Sequence, residues 1–413
     1  MTTKARYDIY INSPFTGIVH CADCVIAEQQ YTVTQVGFRY RDHYLQLPNA
    51  FALDPEQLPL QTGEFTFQCQ GAIPAFLDDY LPDSWGRKVL SRVAFYQKKL
   101  HYNANSVIDS LSLLSHSRIG ALAIVPHGET PQFEQGHSLA TLKQAEQAAQ
   151  HLDEGDYAAI DHNEMNLIYL ANTGTGVGGA RPKALLFDQQ QPFIAKFNRH
   201  SLDSYNNARV ELACLLMAKA AGLNVGKGKV QSDINNREVL LLERFDINPQ
   251  GQRHHLITIN GLLKEKQSQR NYGGSFRYDN IYQLLCKHST TIEQDLQQLL
   301  ALMLFNRAIN NTDDHERNFS LINKGEGYQL APAYDLVPSV ATGQYHAAGF
   351  AYQPYPPRPS ETAKLGKIFG LSKTTVKHIT EQITEAIKNW HRYAEQAGVN
   401  ETDTQRINKH LRP

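Results

Sequence analysis

Over roughly the first 72 positions apolar and polar residues alternate in short runs, with Tyr31 and Val33 on one face and Phe65, Phe67 and Cys69 on another. A period of two is the mark of half-buried antiparallel strands, so this stretch predicts a β-rich N-terminal unit. Helical spacing takes over through FLDDYLPDSWGRKVLSRVAFYQ (76–97), where Pro82 is placed to open a helix and Asp83 to sit in its acidic first turn. The polar stretch 126–136 (PHGETPQFEQG) follows the apolar run IGALAIVP, carries Pro, Gly and charge without periodicity, and reads as a domain boundary. Beyond it come a helix over Ser138–Leu152, a glycine-rich loop TGTGVGGARPK (173–183), and two strands, KALLF and FIAKF, joined by DQQQ. Val210, Ala213, Cys214, Met217 and Ala221 then form one helix face closed by Gly222. KGKV and EVLLLERF read as strands, the polar insert KEKQSQRNYGGSFRYD precedes helices over Asp279–Asn310, and the chain is mainly helical from there. The last long helix carries Val376, Ile379, Ile383, Ile387, Trp390 and Ala394 on one stripe, with Ser372 as its cap. The pattern is that of an α+β chain in three parts: 1–128 β-rich and ending in helices, 137–250 holding the glycine loop and a hairpin, and 251–413 mainly helical.

Composition narrows the class. At about 150 residues per domain, 413 residues predict two or three domains, and 41% hydrophobic with 20% charged residues describes an ordinary globular chain. Forty Lys and Arg against 41 Asp and Glu leave a net charge of −1, so no global field draws the protein to nucleic acid or anionic lipid. Apolar runs such as Leu299–Phe305 are far shorter than a membrane span, and the N-terminus has no signal-peptide stretch, which predicts a cytoplasmic protein with no membrane partner. Five cysteines without an export signal predict reduced thiols. Cys21 and Cys24 form C-x-x-C beside His20, but a zinc ribbon needs a second pair and a redox motif should open a helix, whereas GIVHCADCVI reads as extended.

The densest chemistry lies in NNTDDHERNFSLI followed by LAPAYDLVPS. Asp313 and Asn318 have the D-x-x-x-x-N spacing of a kinase catalytic loop, in which the aspartate accepts a hydroxyl proton and the asparagine holds Mg²⁺. A short hairpin (FSLI, NKGEG, YQLA) returns the chain so that Asp335 faces Asn318, and two oxygen ligands at one point suit Mg²⁺. Asn311, Thr312 and Asp314 read instead as capping and turn residues. Upstream, Gly174, Gly176 and Gly179, with Gly178 between them, fit G-x-G-x-x-G; a strand rather than a helix follows, so the loop reads as one folded over phosphates and not as a dinucleotide fingerprint. It is not a Walker loop, because Ala184 stands where Ser or Thr is required. Lys196, in the next hairpin, is a phosphate ligand by its distance from the loop, and Glu211 on the following helix is placed to orient it or to lie on a surface helix position.

With those residues in hand, the chain resembles the HipA-like serine/threonine kinases, the toxin halves of bacterial toxin–antitoxin pairs. LPDSWGRKVL and IGALAIVP resemble that family's N-terminal module, and GGARPKALL, LLERFD, NNTDDHERNFS and APAYDLVPS its kinase core, in the family's order. The resemblance implies a protein-kinase-like two-lobed core, an ATP- and Mg²⁺-dependent activity, Asp313 as catalytic base, Asn318 and Asp335 as metal ligands, and Lys196 on phosphate. It further implies that His315 and Tyr334 line the nucleotide site and that Glu243 and the Phe245 backbone meet the adenine. The family autophosphorylates a hydroxyl residue in the glycine loop; alignment on GGARPK puts Gly176 at that position, leaving Thr173 and Thr175 as the nearby hydroxyls. The implied partners are a small helix-turn-helix antitoxin of the HipB type, DNA through that antitoxin only, and a translation-related protein substrate, an aminoacyl-tRNA synthetase in the family's best-known branch. Two other functions compete: a metal-dependent phosphohydrolase using Asp313, Asp314, His315 and Asp335, and a kinase-fold binding protein without turnover.

Overall fold

The alternation at the N-terminus is realised as three long antiparallel strands, β1 (Thr2–Ser13), β2 (Gly17–Gln29) and β3 (Thr32–Tyr40). Gln30 and Tyr31 both adopt positive φ (51° and 60°), the backbone that a two-residue hairpin turn requires, so Tyr31 is an exposed turn residue and shares no face with Val33. Strands β4 (Phe65–Gln68) and β5 (Leu122–Pro126) complete a five-stranded sheet in the order β4-β3-β2-β1-β5, and the helix α1 (Ser84–Tyr96) lies between them in sequence. Asp83 is the N-cap of α1, its carboxylate accepting from the Gly86 N–H at 2.8 Å, one step earlier than the first turn expected from sequence. The computed structural model describes residues 2–69, 72–99, 101–114, 118–133, 137–156, 160, 182–189, 191–199, 203–269, 276–341, 345–362 and 365–413.

Two compact units emerge: Met1–Phe197 with Arg244–Gln269 and Ile322–Glu326, and Asn198–Glu243 with Arg270–Leu321 and Gly327–Pro413. The 126–136 stretch lies inside the first unit. There, the expected helix after it begins only at Leu142, as α2 (Leu142–Glu154), because a short 3₁₀ turn occupies Leu139–Thr141. The hairpin of β6 (Lys183–Asp188) and β7 (Gln191–Phe197) follows, with Phe193, Ala195 and Phe197 buried as their alternation requires.

Arg244 and Asp246, from the end of the LLERFD run, belong to a buried charge cluster in this unit. Asp246 accepts from the Arg244 Nε and Nη2 at 3.0 and 2.7 Å and from the Gly120 N–H at 2.7 Å. The Arg118 carbonyl takes Arg244 and Arg253, each at 3.0 Å. Burial raises the cost of ionising Asp246, yet the guanidinium of Arg244 and the Gly120 N–H hold its carboxyl below the ordinary range. Breaking one partner of such a buried pair costs far more than the pair contributes.

In the second unit, α3 (Asn207–Ala220) buries Val210, Ala213, Cys214, Met217 and Ala218 completely, and Glu211 and Leu215 nearly so, so the helix is enclosed on most of its circumference. Gly222, at φ 84°, ends it. The hairpin β8 (Gly228–Ile234) and β9 (Arg237–Glu243) pairs antiparallel. The helices α4 (Tyr278–His288) and α5 (Ile292–Ala308), the strands β10 (Ser320–Asn323) and β11 (Tyr328–Leu330), and α6 (Lys373–Lys388), α7 (Trp390–Ala397) and α8 (Glu401–Asn408) complete the chain. Ser372 caps α6 as expected, accepting from Thr375 N–H at 3.1 Å. The single long terminal helix expected from the stripe is broken at Asn389, whose amide is turned back onto the Glu385 carbonyl at 2.8 Å. The polar insert after Lys264 is partly helical, the helix Ile259–Gln269 running into it. No helix among the described residues is long and apolar enough to cross a membrane.

Candidate active site

The loop after α5 is held by asparagine and hydroxyl side chains that bond it to the 335–339 segment. Asn310 takes positive φ (56°) and exchanges bonds with Ser339: its carbonyl accepts Ser339 N–H at 3.0 Å and its amide donates to the Ser339 carbonyl at 2.7 Å. Thr312 adds N–H and hydroxyl bonds to Ser339 Oγ at 3.2 and 2.6 Å. Asn311 is buried and donates to Asn306 Oδ1 at 3.0 Å and to the carbonyl of Asp335 at 3.1 Å. Asn311 and Thr312, read from sequence as capping and turn residues, instead tie the 311–313 loop to the 335–339 segment.

The adjacent carboxylates part company here. Asp314 is fully buried, with Oδ1 accepting from the N–H groups of Ala347 and Ala348 at 2.9 and 3.2 Å, and Oδ2 from Tyr278 Oη and His346 Nδ1, both at 3.1 Å. Asp313 points outward, its side chain 75% exposed, with His315 Nε2 at 3.6 Å from Oδ1. Desolvation by the surrounding protein raises its pKa, His315 opposes that rise, and the charges of Asp335 and Asp314 add to it. Solvent screens these effects at so open a group. His315 Nδ1 accepts from the Arg317 N–H at 3.2 Å, which leaves the neutral ring's proton on Nε2, facing Asp313.

Asn318 closes the loop, its amide donating to the Asp313 carbonyl at 2.6 Å. Its Oδ1 is buried and has no hydrogen-bond donor, an acceptor left over in a site whose other groups are paired. Tyr334 brings the far strand to it: the phenol bonds Ser320 Oγ at 2.7 Å and the Arg317 carbonyl at 3.1 Å, on either side of Asn318. Asp335 follows with φ 55°, a backbone rare for a residue with a side chain, held by the Asn311 bond to its carbonyl. The structure thus gathers Asp313, Asn318, His315, Tyr334 and Asp335 in one unit, and the phenol of Tyr334 is spent on the loop itself.

The remaining expected residues lie elsewhere. Thr173, Gly174, Thr175, Gly176, Gly178 and Gly179 lie outside the described residues. Lys196 is half-buried on β7 in the first unit, and its direct cross-strand partner is Lys183 of β6, which is 6% exposed. Two cations set opposite each other repel unless an anion joins them. Lys183, immediately before the apolar run of β6 and directly after the glycine loop in sequence, was not singled out by the sequence reading. Glu211 is 4% exposed on α3, which removes the surface-helix alternative. Glu243 closes β9, its N–H bonded to the Lys227 carbonyl at 2.8 Å and its side chain 3.9 Å from Lys227 Nζ. Phe245 is half-buried between Arg244 and Asp246, whose structural ion pair sequence reading did not anticipate.

The leftover carboxamide oxygen of Asn318 suits a hard cation such as Mg²⁺, which takes one or two protein oxygens and fills its shell with water and phosphate. Asp314, saturated by four donors, has nothing to offer a metal.

Comparison with known proteins identifies the family and the fold. A family model described as the HipA-like C-terminal domain matches residues 175–391, and one described as the HipA N-terminal domain matches residues 18–125. The serine/threonine-protein kinase toxin HipA of Shewanella oneidensis is 25% identical over 352 residues, 77% of this chain and 74% of that one. Y4mE of Sinorhizobium fredii is 30% identical over 138 residues, so the chain spans about a third (32%) of that relative's length. Among solved structures, that of the Shewanella oneidensis toxin–antitoxin complex of HipA, HipB and operator DNA matches with a TM-score of 0.67 at 19% identity, over 98% of this chain and 94% of that one. The shared fold is α+β, with a β-rich N-terminal region and a helical C-terminus.

Proposed function

The chain belongs to the HipA family, and on that footing we propose that it is an ATP- and Mg²⁺-dependent serine/threonine protein kinase, the toxin of a bacterial toxin–antitoxin pair. The observation that carries the catalytic part is the loop itself: an exposed Asp313, a buried Asn318 Oδ1 without a donor, and Asp335 held nearby on a strained backbone. Asn318 and Asp335 would hold Mg²⁺, which supplies charge neutralisation of the transferring phosphoryl group. Asp313 accepts the proton of the substrate hydroxyl as its oxygen bonds the γ-phosphorus and the bond to the β,γ-bridging oxygen breaks. Burial raises the pKa of this carboxylate, which strengthens it as a proton acceptor. His315 steadies the carboxylate. In this reading Lys183 and Lys196 are assigned to phosphate and Glu211 to an orienting role, and the family resemblance assigns Glu243 with the Phe245 backbone to the adenine.

The satisfied state of Asp314 weighs against the phosphohydrolase, which needs that carboxylate for a second metal. Incubation of the purified protein with γ-labelled ATP and Mg²⁺ separates the readings: label on protein supports the kinase, free phosphate alone the hydrolase, and neither the binding protein. Thr173 and Thr175 are the candidate autophosphorylation sites. The substrate of the pair is a translation-related protein, and a HipB-type helix-turn-helix antitoxin carries the toxin to DNA, since a net charge of −1 gives this chain no field of its own. A gel-shift series with toxin, antitoxin and both tests this; tight retardation by the toxin alone refutes it.

A further inference from the structure

Strands β1 and β2 place Asp8 directly opposite Asp23, two carboxylates across an antiparallel pair that is ordinarily destabilising. They are also largely dry: the side chains of Asp8, His20 and Asp23 are 5%, 17% and 24% exposed. His20 projects between them, its ring stacked on Tyr10 at 4.9 Å between centroids. Nε2 of His20 lies 3.7 Å from Asp8 Oδ1 and 3.1 Å from Asp23 Oδ1, and one ligand atom from each residue falls within 4.8 Å of the others.

The outer oxygens are anchored. Asp8 Oδ2 accepts the Gly128 N–H at 2.9 Å, and Asp23 Oδ2 accepts Arg41 Nη1 at 3.0 Å. His127 Nδ1 bonds Asp8 Oδ1 at 2.8 Å. The inner side is short of donors: His20 Nε2 has one proton at most and already faces the Ala22 carbonyl at 3.1 Å, while Asp23 Oδ1 is buried with no hydrogen-bond partner. Oxygens converging on one ring nitrogen, each carboxylate fixed from behind, are the arrangement that outer-shell hydrogen bonds give to metal ligands. A tetrahedral ion with bonds of about 2.0–2.1 Å spaces its ligand atoms about 3.3 Å apart, and the two His20 distances bracket that spacing.

We propose that Asp8, His20 and Asp23 form a binding site for a divalent transition-metal cation, zinc fitting best, separate from the nucleotide site. One imidazole and two carboxylates suit a borderline ion rather than Mg²⁺ or Ca²⁺, which prefer oxygen alone. The ion cross-links β1 to β2 and, through His127, fastens the segment after β5. Asp23 and His127 also line a groove of ≈ 470 Å³ together with Lys4, Arg6 and Arg39. The neighbouring C-x-x-C takes no part: Cys21 and Cys24 are buried, burial pushes both thiols far up, and Cys21 Sγ donates to the Ile9 carbonyl at 3.3 Å.

The test uses the full, tag-free chain stripped with a chelator, titrated with zinc chloride in a calorimeter without nucleotide, with cobalt absorption as a second readout. Wild type, C21A/C24A and D335N should each take up one tight equivalent, cobalt showing no thiolate charge-transfer band. H20Q and D23N should weaken that equivalent by at least ~10- to 100-fold, with unchanged circular dichroism. D23N, at the rim, serves should H20Q fail to fold. No equivalent tighter than ~10 μM in wild type, retention of it in both H20Q and D23N, or its loss in C21A/C24A would each overturn the site.

Discussion

Neutralising the two adjacent carboxylates of the catalytic loop one at a time should separate chemistry from architecture. In Asp314→Asn, the amide oxygen can keep the N–H groups of Ala347 and Ala348, but the amide nitrogen meets Tyr278 Oη and His346 Nδ1, which donated to the carboxylate. A bond to a charged group contributes about 1.5–3 kcal/mol and a neutral one about half that, so two lost and two weakened bonds cost roughly 4–9 kcal/mol. Urea denaturation followed by near-ultraviolet signal should show that loss. Asp313→Asn touches a side chain that is 75% exposed and whose charge Asp335 and Asp314 disfavour, so stability should stay within ~0.5 kcal/mol of wild type. Phosphoryl transfer to protein should instead fall by ~10²–10⁴, the usual size of general-base catalysis, with the ATP-induced melting shift intact. Near wild-type transfer by Asp313→Asn would refute the assignment of the base. An Asp314→Asn protein that kept its denaturation midpoint but lost transfer would refute the structural role of Asp314.

ATP with Mg²⁺ at ~100 times its dissociation constant should stabilise the wild type by about 2.7 kcal/mol in thermal melts; Asp335→Asn and Asn318→Ala should lose the magnesium-dependent part, and an unchanged shift would count against both as ligands. Lys183→Ala should weaken ATP by ~10- to 100-fold, the worth of a bond to a charged group, read by calorimetry. Of the five cysteines only Cys286 is exposed, so Ellman's reagent should meet one fast thiol in the native protein; a second fast equivalent would contradict the burial of the C-x-x-C. Asp54 is raised to about 7 and His255 lowered to about 4, both by burial. Between pH 6.5 and 4 the unfolded chain binds the extra proton at His255 and the folded chain at Asp54, so the two slopes oppose. Asp54→Asn should therefore lose on the order of 2–3 kcal/mol more than wild type over that interval, and parallel pH profiles would refute this.

Much of the molecule was legible in the order of residues. Period-two alternation determined the N-terminal strands, the β6–β7 hairpin and its buried face, and helical stripes determined α3 and α6, because local periodicity selects which face can be buried. The spacing Asp313–Asn318 and the return to Asp335 identified the loop, since a hairpin's length is a local property. What the sequence could not decide was how equal neighbours differ: Asp313 and Asp314 are the same residue type in consecutive positions, and only the amides of Ala347 and Ala348, the phenol of Tyr278 and the ring of His346, all brought from distant parts of the chain, make one of them structural. The same holds at β1 and β2, where the motif drew attention to the cysteines while strand register set Asp8 opposite Asp23 around the histidine beside them. It holds again for Lys183 and Lys196, whose pairing depends on the register of a hairpin. Burial, charge balance and the hydrogen-bond count at a given atom depend on which segments tertiary packing brings together, and those partners lie too far along the chain for spacing to reveal them.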